Sequence, residues 1–205
     1  MVSGKVAAKW SMAEPDEMRI TVGLPNSASV DVVIRACRSV FGKPLVVNSF
    51  RALLVEAMIA EALSPIWAWT GEDWAGWDFQ DKDRVRLEVK QSAARQTWTK
   101  DPSKPSRCSF DIAARTGHWV DGDRWTSSHS RNAEIYIFAH HPVTDGTADH
   151  RDPYQWRFYV ASEASLPSAD QKSISLSGVQ KLAEAVGFKD LSVRVELVRA
   201  ELDGT

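Results

Sequence analysis

The clearest pattern in the chain is Arg84-Val85-Arg86-Leu87-Glu88-Val89-Lys90. Apolar and charged residues at a period of two read as a strand with one core face and one polar face. Val85, Leu87 and Val89 share the first face; Arg86, Glu88 and Lys90 share the second. Ahead of it a helix is predicted from about Phe50 to Leu63, capped by Asn48 or Ser49 and closed by Pro65. Between helix and strand lies a loop rich in tryptophan: Trp67, Trp69, Trp74 and Trp77. The tract from Gln91 to about Arg131 is polar, broken by Pro102 and Pro105, with a short strand at Cys108 to Ala113. Ile135 to Ala139 reads as a buried strand, His141 to Tyr154 as a loop, and Gln155 to Val160 as another strand. Ser177 and Gln180 have capping-box spacing ahead of a helix ending near Gly187, and Leu191 to Val198 alternates as a last strand. Upstream, residues 1–14 carry no pattern, Met18 to Val22 suits a short strand, and Ser27 or Ser29 can cap a helix to about Phe41, with Gly42 past its end. Leu45 to Val47 suits a further short strand. The order predicts a mixed α/β core over residues 48–205, with residues 1–47 as an N-terminal extension packed on it.

Composition narrows the class. Of 205 residues, 43% are apolar and 25% charged, which excludes a disordered tail, a collagen-like fibre or a disulfide miniprotein. The net charge of −2 means that any binding to nucleic acid must use a local patch. No apolar run approaches the roughly 20 residues of a membrane helix, and no secretory signal is visible at the start. Cys37 and Cys108 fit no metal or redox spacing and read as free thiols in a reducing cytoplasm. Phosphate-binding glycine loops, dinucleotide fingerprints and nucleophile elbows are missing.

The candidate chemistry lies in carboxylates. Glu88 and Lys90 project side by side from one strand face, a carboxylate for a hard cation beside an ammonium for a phosphate oxygen or a water. Asp78, flanked by Trp77 and Phe79, lies ten residues before Glu88, so a hairpin would bring the two carboxylates together. Two convergent carboxylates, completed by phosphate and water, suit magnesium. In the helix Phe50 to Leu63 the only charges are Arg51, Glu56 and Glu61. Their five-residue steps rotate each by about 140°, so they form no polar stripe and the helix is apolar on most sides. Glu56 shares a small face with Ala52, Ala60 and Leu63 that can approach a sheet; Glu61, near the end, is expected in solvent.

Glu56, Asp78 and then Glu88-Val89-Lys90 together resemble the PD-(D/E)xK nuclease superfamily, over about Asn48 to Val160. Trp77 stands where the family's proline precedes the aspartate, and Gln91 after the lysine is a familiar variant. The resemblance implies a restriction-endonuclease-like α/β core, a central mixed β-sheet flanked by helices. It implies Mg²⁺, replaceable by Mn²⁺, held by Asp78, Glu88 and the Val89 carbonyl. Lys90 would orient the attacking water and stabilise the transition state, Glu56 would hold a water or a second ion, and Gln91 would support the site. The implied activity is hydrolysis of DNA phosphodiesters, in restriction, phage defence or repair. A second copy or a partner protein would supply specificity.

The surroundings suit a phosphate backbone. From Arg84 to Arg107 seven basic residues face two acids. Arg84, Arg86, Arg95, Gln96 and Trp98 are candidate nucleic-acid contacts, and Asp111, Arg131 and Asn132 candidate supports. His118, His129, His140, His141 and His150 show no zinc spacing and read as structural. The alternatives are a non-catalytic nucleic-acid-binding or assembly module on the same fold, a nuclease for RNA or branched DNA, and an unrelated α/β protein with a surface ion pair.

Overall fold

The computed structural model describes residues 27–70, 76–101, 103–120 and 124–204. The chain divides into two units, Met1–Arg38 and Ser39–Thr205. Helix α1 (Ser27–Phe41) crosses that division and ends just before Gly42, where its sequence predicts. The strand expected at Met18 to Val22 lies outside the described residues, as do Trp74 and Pro102.

In the second unit α2 (Asn48–Leu63) is followed by β1 (Ala68–Trp69), β2 (Phe79–Gln80), β3 (Arg86–Ala93), β4 (Ser109–Asp111), β5 (Arg115–Val120), β6 (Arg124–Ser130) and β7 (Ile135–His141). Then come β8 (Arg157–Ser162), β9 (Ser173–Ser175), α3 (Leu176–Leu182) and α4 (Leu191–Asp203). The main sheet has five strands in the order β1-β2-β3-β7-β8. Its centre is the parallel pair β3–β7, and all its other pairs are antiparallel. β7 is buried at every residue, as a strand covered on both faces must be. Strand alternation sends Leu87, Val89, Ile137 and Val160 to one face, where they meet Val55, Ile59 and Leu63 of α2 and Leu191, Val195 and Val198 of α4. Tyr136, Phe138 and Tyr159 point to the other face and pack with Phe110, Ile112, Ile174 and Val179. The fold is mixed α/β. Among the described residues no helix is long and apolar enough to cross a membrane.

Several elements differ from the sequence reading. Leu191 to Val198 is helical, because Leu191, Val195 and Val198 repeat at helical spacing as well, and the helix buries those three. Val193 and Leu197, which completed the apparent alternation, are 64% and 54% exposed. Leu45 to Val47 forms no strand; Val46 N–H donates to His150 Nδ1, and His150 N–H to the Pro44 carbonyl. β3 starts at Arg86 because Arg84 sits at φ 66°, in a turn where Asp81 Oδ1 accepts from Asp83 and Val85 N–H. β8 starts at Arg157, since Pro153–Gln155 form a 3-10 turn capped by Asp152. α3 is capped by Ser175, whose Oγ accepts from Gly178 N–H, and ends at Leu182. Val47 precedes α2, so neither Asn48 nor Ser49 caps it. The β5–β6 ribbon and β9 have no counterpart in the sequence reading. The ribbon is a two-stranded sheet of its own, and Thr116, Trp125, Thr126, Ser127 and His129 are exposed, so no burial imposes alternation.

Candidate active site

The cleft begins where β2 stops. β2 is two residues long and pairs only Phe79 with Leu87 and Gln80 with Arg86. Past Leu87 that edge of β3 has no strand partner among the described residues. Asp78 takes part of its place. Its N–H donates to the Leu87 carbonyl at 3.0 Å, and its Oδ2 accepts from Val89 N–H at 2.6 Å. In an extended strand a residue's N–H and C=O leave on the same side, so the Val89 carbonyl also faces this edge.

Glu88 and Lys90 stand on the polar face of β3, Lys90 Nζ donating to Glu88 Oε1. Their side chains are 17% and 19% exposed, which is not the state of a solvated surface pair. Tyr136 of β7 is the register partner of Glu88. Glu56 comes from α2, its Oε2 accepting from Trp69 Nε1 at 3.3 Å. Glu56, Asp78, Glu88, Val89 and Lys90 line one cleft of about 260 Å³, with Ala52 on the helix side and Ser109–Asp111 on the other. Ala52 is small, and that lets α2 approach.

Glu56, Asp78 and Glu88 stand beside the one ammonium of the cleft, with Asp111 on its other wall. Burial, then the charges of Glu88 and Glu56, push Asp78 up to about 8; the Val89 N–H and Lys90 oppose them. Burial also raises Glu56, reinforced by Glu88 and opposed by the Trp69 hydrogen bond and by Lys90. The side-chain oxygens lining the cleft are those of carboxylates, the Gln91 amide and the Ser109 hydroxyl, with no thiolate or imidazole among the lining residues. Among the described residues no three His, Cys, Asp or Glu side chains are placed to hold one metal ion jointly. Asp78, Glu88 and the Val89 carbonyl make a smaller set, of the kind magnesium completes with water and phosphate oxygens. A divalent cation would relieve the crowding of negative charge, so the residues present fit one.

Gln91 lines the cleft and belongs to a network centred on Arg51. Arg51, 1% exposed, donates from Nε to Gln91 Oε1, from Nη1 to Gln96 Oε1 and from Nη2 to Asn48 Oδ1, each at 2.7 Å. Its partners are all neutral amides, and burial lowers it to about 10. This network ties the head of α2 to the end of β3. Gln96 is therefore turned inward, 6% exposed, with Nε2 donating to the Ala93 carbonyl.

The other expected contacts are dispersed. Arg86 pairs with Glu134 and lies 5.1 Å over the Trp77 ring. Arg84 is exposed on its turn, and Trp98 is exposed beyond the strand. Arg95 donates to the Asp145 carbonyl. Of the expected supports, Asp111 lines the cleft, and Arg131 and Asn132 line a nook behind Glu88 and Lys90. His140, His141 and His150 are buried. His150 accepts from Val46 N–H at Nδ1 and bonds the Arg95 carbonyl through Nε2, so it is neutral, and burial holds it down at about 4. Cys37 and Cys108 are free thiols.

Sequence reasoning assigned no role to Arg51, Arg115 or Tyr136. Strand pairing alone brings Tyr136 to Glu88, and the chain gives no local sign of it. Arg51 did carry a signal: it is a cation at the head of the otherwise apolar spacing Arg51, Val55, Ile59, Leu63. No protein-family model matches this chain, and no curated protein matches it.

Proposed function

We propose that the chain is a Mg²⁺-dependent deoxyribonuclease, acting as an endonuclease on DNA phosphodiester bonds, with Mn²⁺ able to replace Mg²⁺. The observation that carries this reading is the meeting of Glu56, Asp78, Glu88 and Lys90 in one cleft, from a helix, a strand end and a strand. Asp78, Glu88 and the Val89 carbonyl would hold the ion. When bound, it would neutralise charge on the phosphate and lower the pKa of a water. Lys90 swings from Glu88 to a phosphate oxygen or to the attacking water, where its charge matches the charge that develops in the transition state. Glu56, oriented by the Trp69 Nε1 donor, would hold a water or a second ion. The Arg51 network holds Gln91 and the α2–β3 spacing fixed while this happens. A second copy of the chain or a partner protein supplies target specificity.

The test is cleavage of supercoiled plasmid, single-stranded DNA, branched DNA and RNA in Mg²⁺, Mn²⁺ or EDTA. Metal-dependent nicking or linearisation of the plasmid is expected. Cleavage confined to RNA or branched DNA would move the substrate. No cleavage of any of them would overturn the enzyme and leave a nucleic-acid-binding module.

A further inference from the structure

Behind Glu88 and Lys90 a second, smaller nook opens, lined among others by Arg115, Arg131, Asn132 and Tyr136. Its volume of about 20 Å³ is room for roughly one water-sized group. Asn132 is 5% exposed, and its amide nitrogen has no hydrogen-bond partner. A buried donor left unpaired is costly, and such a group in a folded protein calls for a ligand or water to complete it. Asn132 Oδ1, in contrast, accepts from Ser130 Oγ at 3.5 Å, which leaves the nitrogen as the free function.

The groups around this donor favour a negative oxygen. Lys90 and Arg115 are cations at the nook wall. Arg131 lines it too, its guanidinium already fixed by the Ile112, Pro167 and Ser168 carbonyls and by Glu163. Tyr136, next to Glu88, has its hydroxyl pKa raised by burial and by that carboxylate, so it stays a donor. The two acids at the wall, Glu88 and Asp111, are each paired, with Lys90 and Arg115. The Asp111–Arg115 pair is half exposed at 2.8 Å, the kind of surface contact that contributes little and opens easily.

We infer that this nook is a phosphate subsite. There one non-bridging oxygen of a phosphodiester accepts a hydrogen bond from Asn132 Nδ2, with Arg115 exchanging Asp111 for the same phosphate. For its natural ligand, a nucleic-acid strand, the inference rests on the nuclease reading above; the subsite shares Glu88, Lys90 and Asp111 with the cleft and would hold a phosphate neighbouring the one cut. The route of the strand then runs from the cleft past Arg115 toward the root of the β5–β6 ribbon.

Inorganic phosphate tests the site without any cleavage. In ¹⁵N–¹H spectra of the metal-free chain, the Asn132 side-chain amide should shift saturably with phosphate. In Arg115→Ala, which removes only a half-exposed side chain, the affinity should fall about tenfold or more, the effect of one hydrogen bond to a charged group. Asn132→Asp puts a carboxylate in place of the donor and removes that reporter, so it is read at the Arg115 side-chain Nε–H, which should shift saturably with phosphate in the parent and not in the variant. An Asn132 amide that ignores phosphate, or that shifts equally in Arg115→Ala, overturns the subsite. The two readings fail separately: a chain that binds phosphate here and cuts nothing loses the nuclease, and one that cuts DNA with an indifferent Asn132 loses the subsite.

Discussion

Asp78 carries the largest conflict at the level of single residues. Its pKa of about 8, set by burial and then by Glu88 and Glu56, compares with about 3.9 in an unfolded chain. Between those values the folded state keeps a proton that the unfolded state has lost, so this group's contribution falls as pH rises through the window. His140 and His150 act in the opposite sense. Burial holds both at about 4, so they add stability as pH rises toward about 6.5. The metal-free protein should therefore be most stable near pH 6.5 and lose stability from there to about 8. Asp78→Asn should flatten the alkaline decline and raise the melting temperature at pH 8, while abolishing cleavage. Thermal unfolding in EDTA at a series of pH values checks this; an Asp78→Asn melting temperature at pH 8 below the parent's would contradict it.

At the scale of elements, α2 and β3 are joined by Arg51. Three amide oxygens accept from its guanidinium, and its fork geometry is what lets one side chain reach all three. Arg51→Ala should cost about 2 kcal/mol or more in urea unfolding, because it leaves the buried Gln96 Oε1 without its donor and empties the space of a buried side chain. Arg51→Lys should recover little of that, since an ammonium cannot span the three partners. A Lys variant as stable as the parent would show that charge alone is needed there. The β5–β6 ribbon depends on Gly117 instead. A Cβ added there would lie 2.4 Å from Trp125 Cζ2 and 2.5 Å from the Thr126 carbonyl, and the second is backbone that cannot swing aside. Gly117→Ala should speed amide exchange across the ribbon and leave β3 and β7 protected; unchanged exchange in the ribbon would contradict the cross-strand packing.

The same elements show what can be read from the chain. β3 was legible because one of its faces is core and alternation follows. α4 was not, since Leu191, Val193, Val195 and Leu197 satisfy a period of two by chance of spacing, and only packing against α2 and β8 decides which are buried. The ribbon escaped because its described side chains are mostly exposed and its serines and threonines carry no burial pattern. Glu56, Asp78, Glu88 and Lys90 could be picked out by charge type and order. Tyr136, Arg115 and the partners of Arg51 could not, because their places depend on pairings made far along the chain.

For the molecule as a whole, the acidic balance leaves binding to local features. The basic tract from Arg84 to Arg107 contributes less free charge than its composition suggests, since Arg86 is paired with Glu134 and Arg95 is hydrogen-bonded to the Asp145 carbonyl. Lys100, Lys104 and Arg107 remain exposed. The proposal for the whole chain therefore stands on the cleft. The direct measurement is the rate of plasmid cleavage in Mg²⁺ by the parent and by Lys90→Ala, with matched melting temperatures to show that both are folded. Cleavage by the parent, lost in EDTA and at least about a hundredfold slower in Lys90→Ala, is the predicted result. Cleavage by Lys90→Ala at the parent rate, or cleavage by the parent that survives EDTA, would contradict the assignment of this cleft.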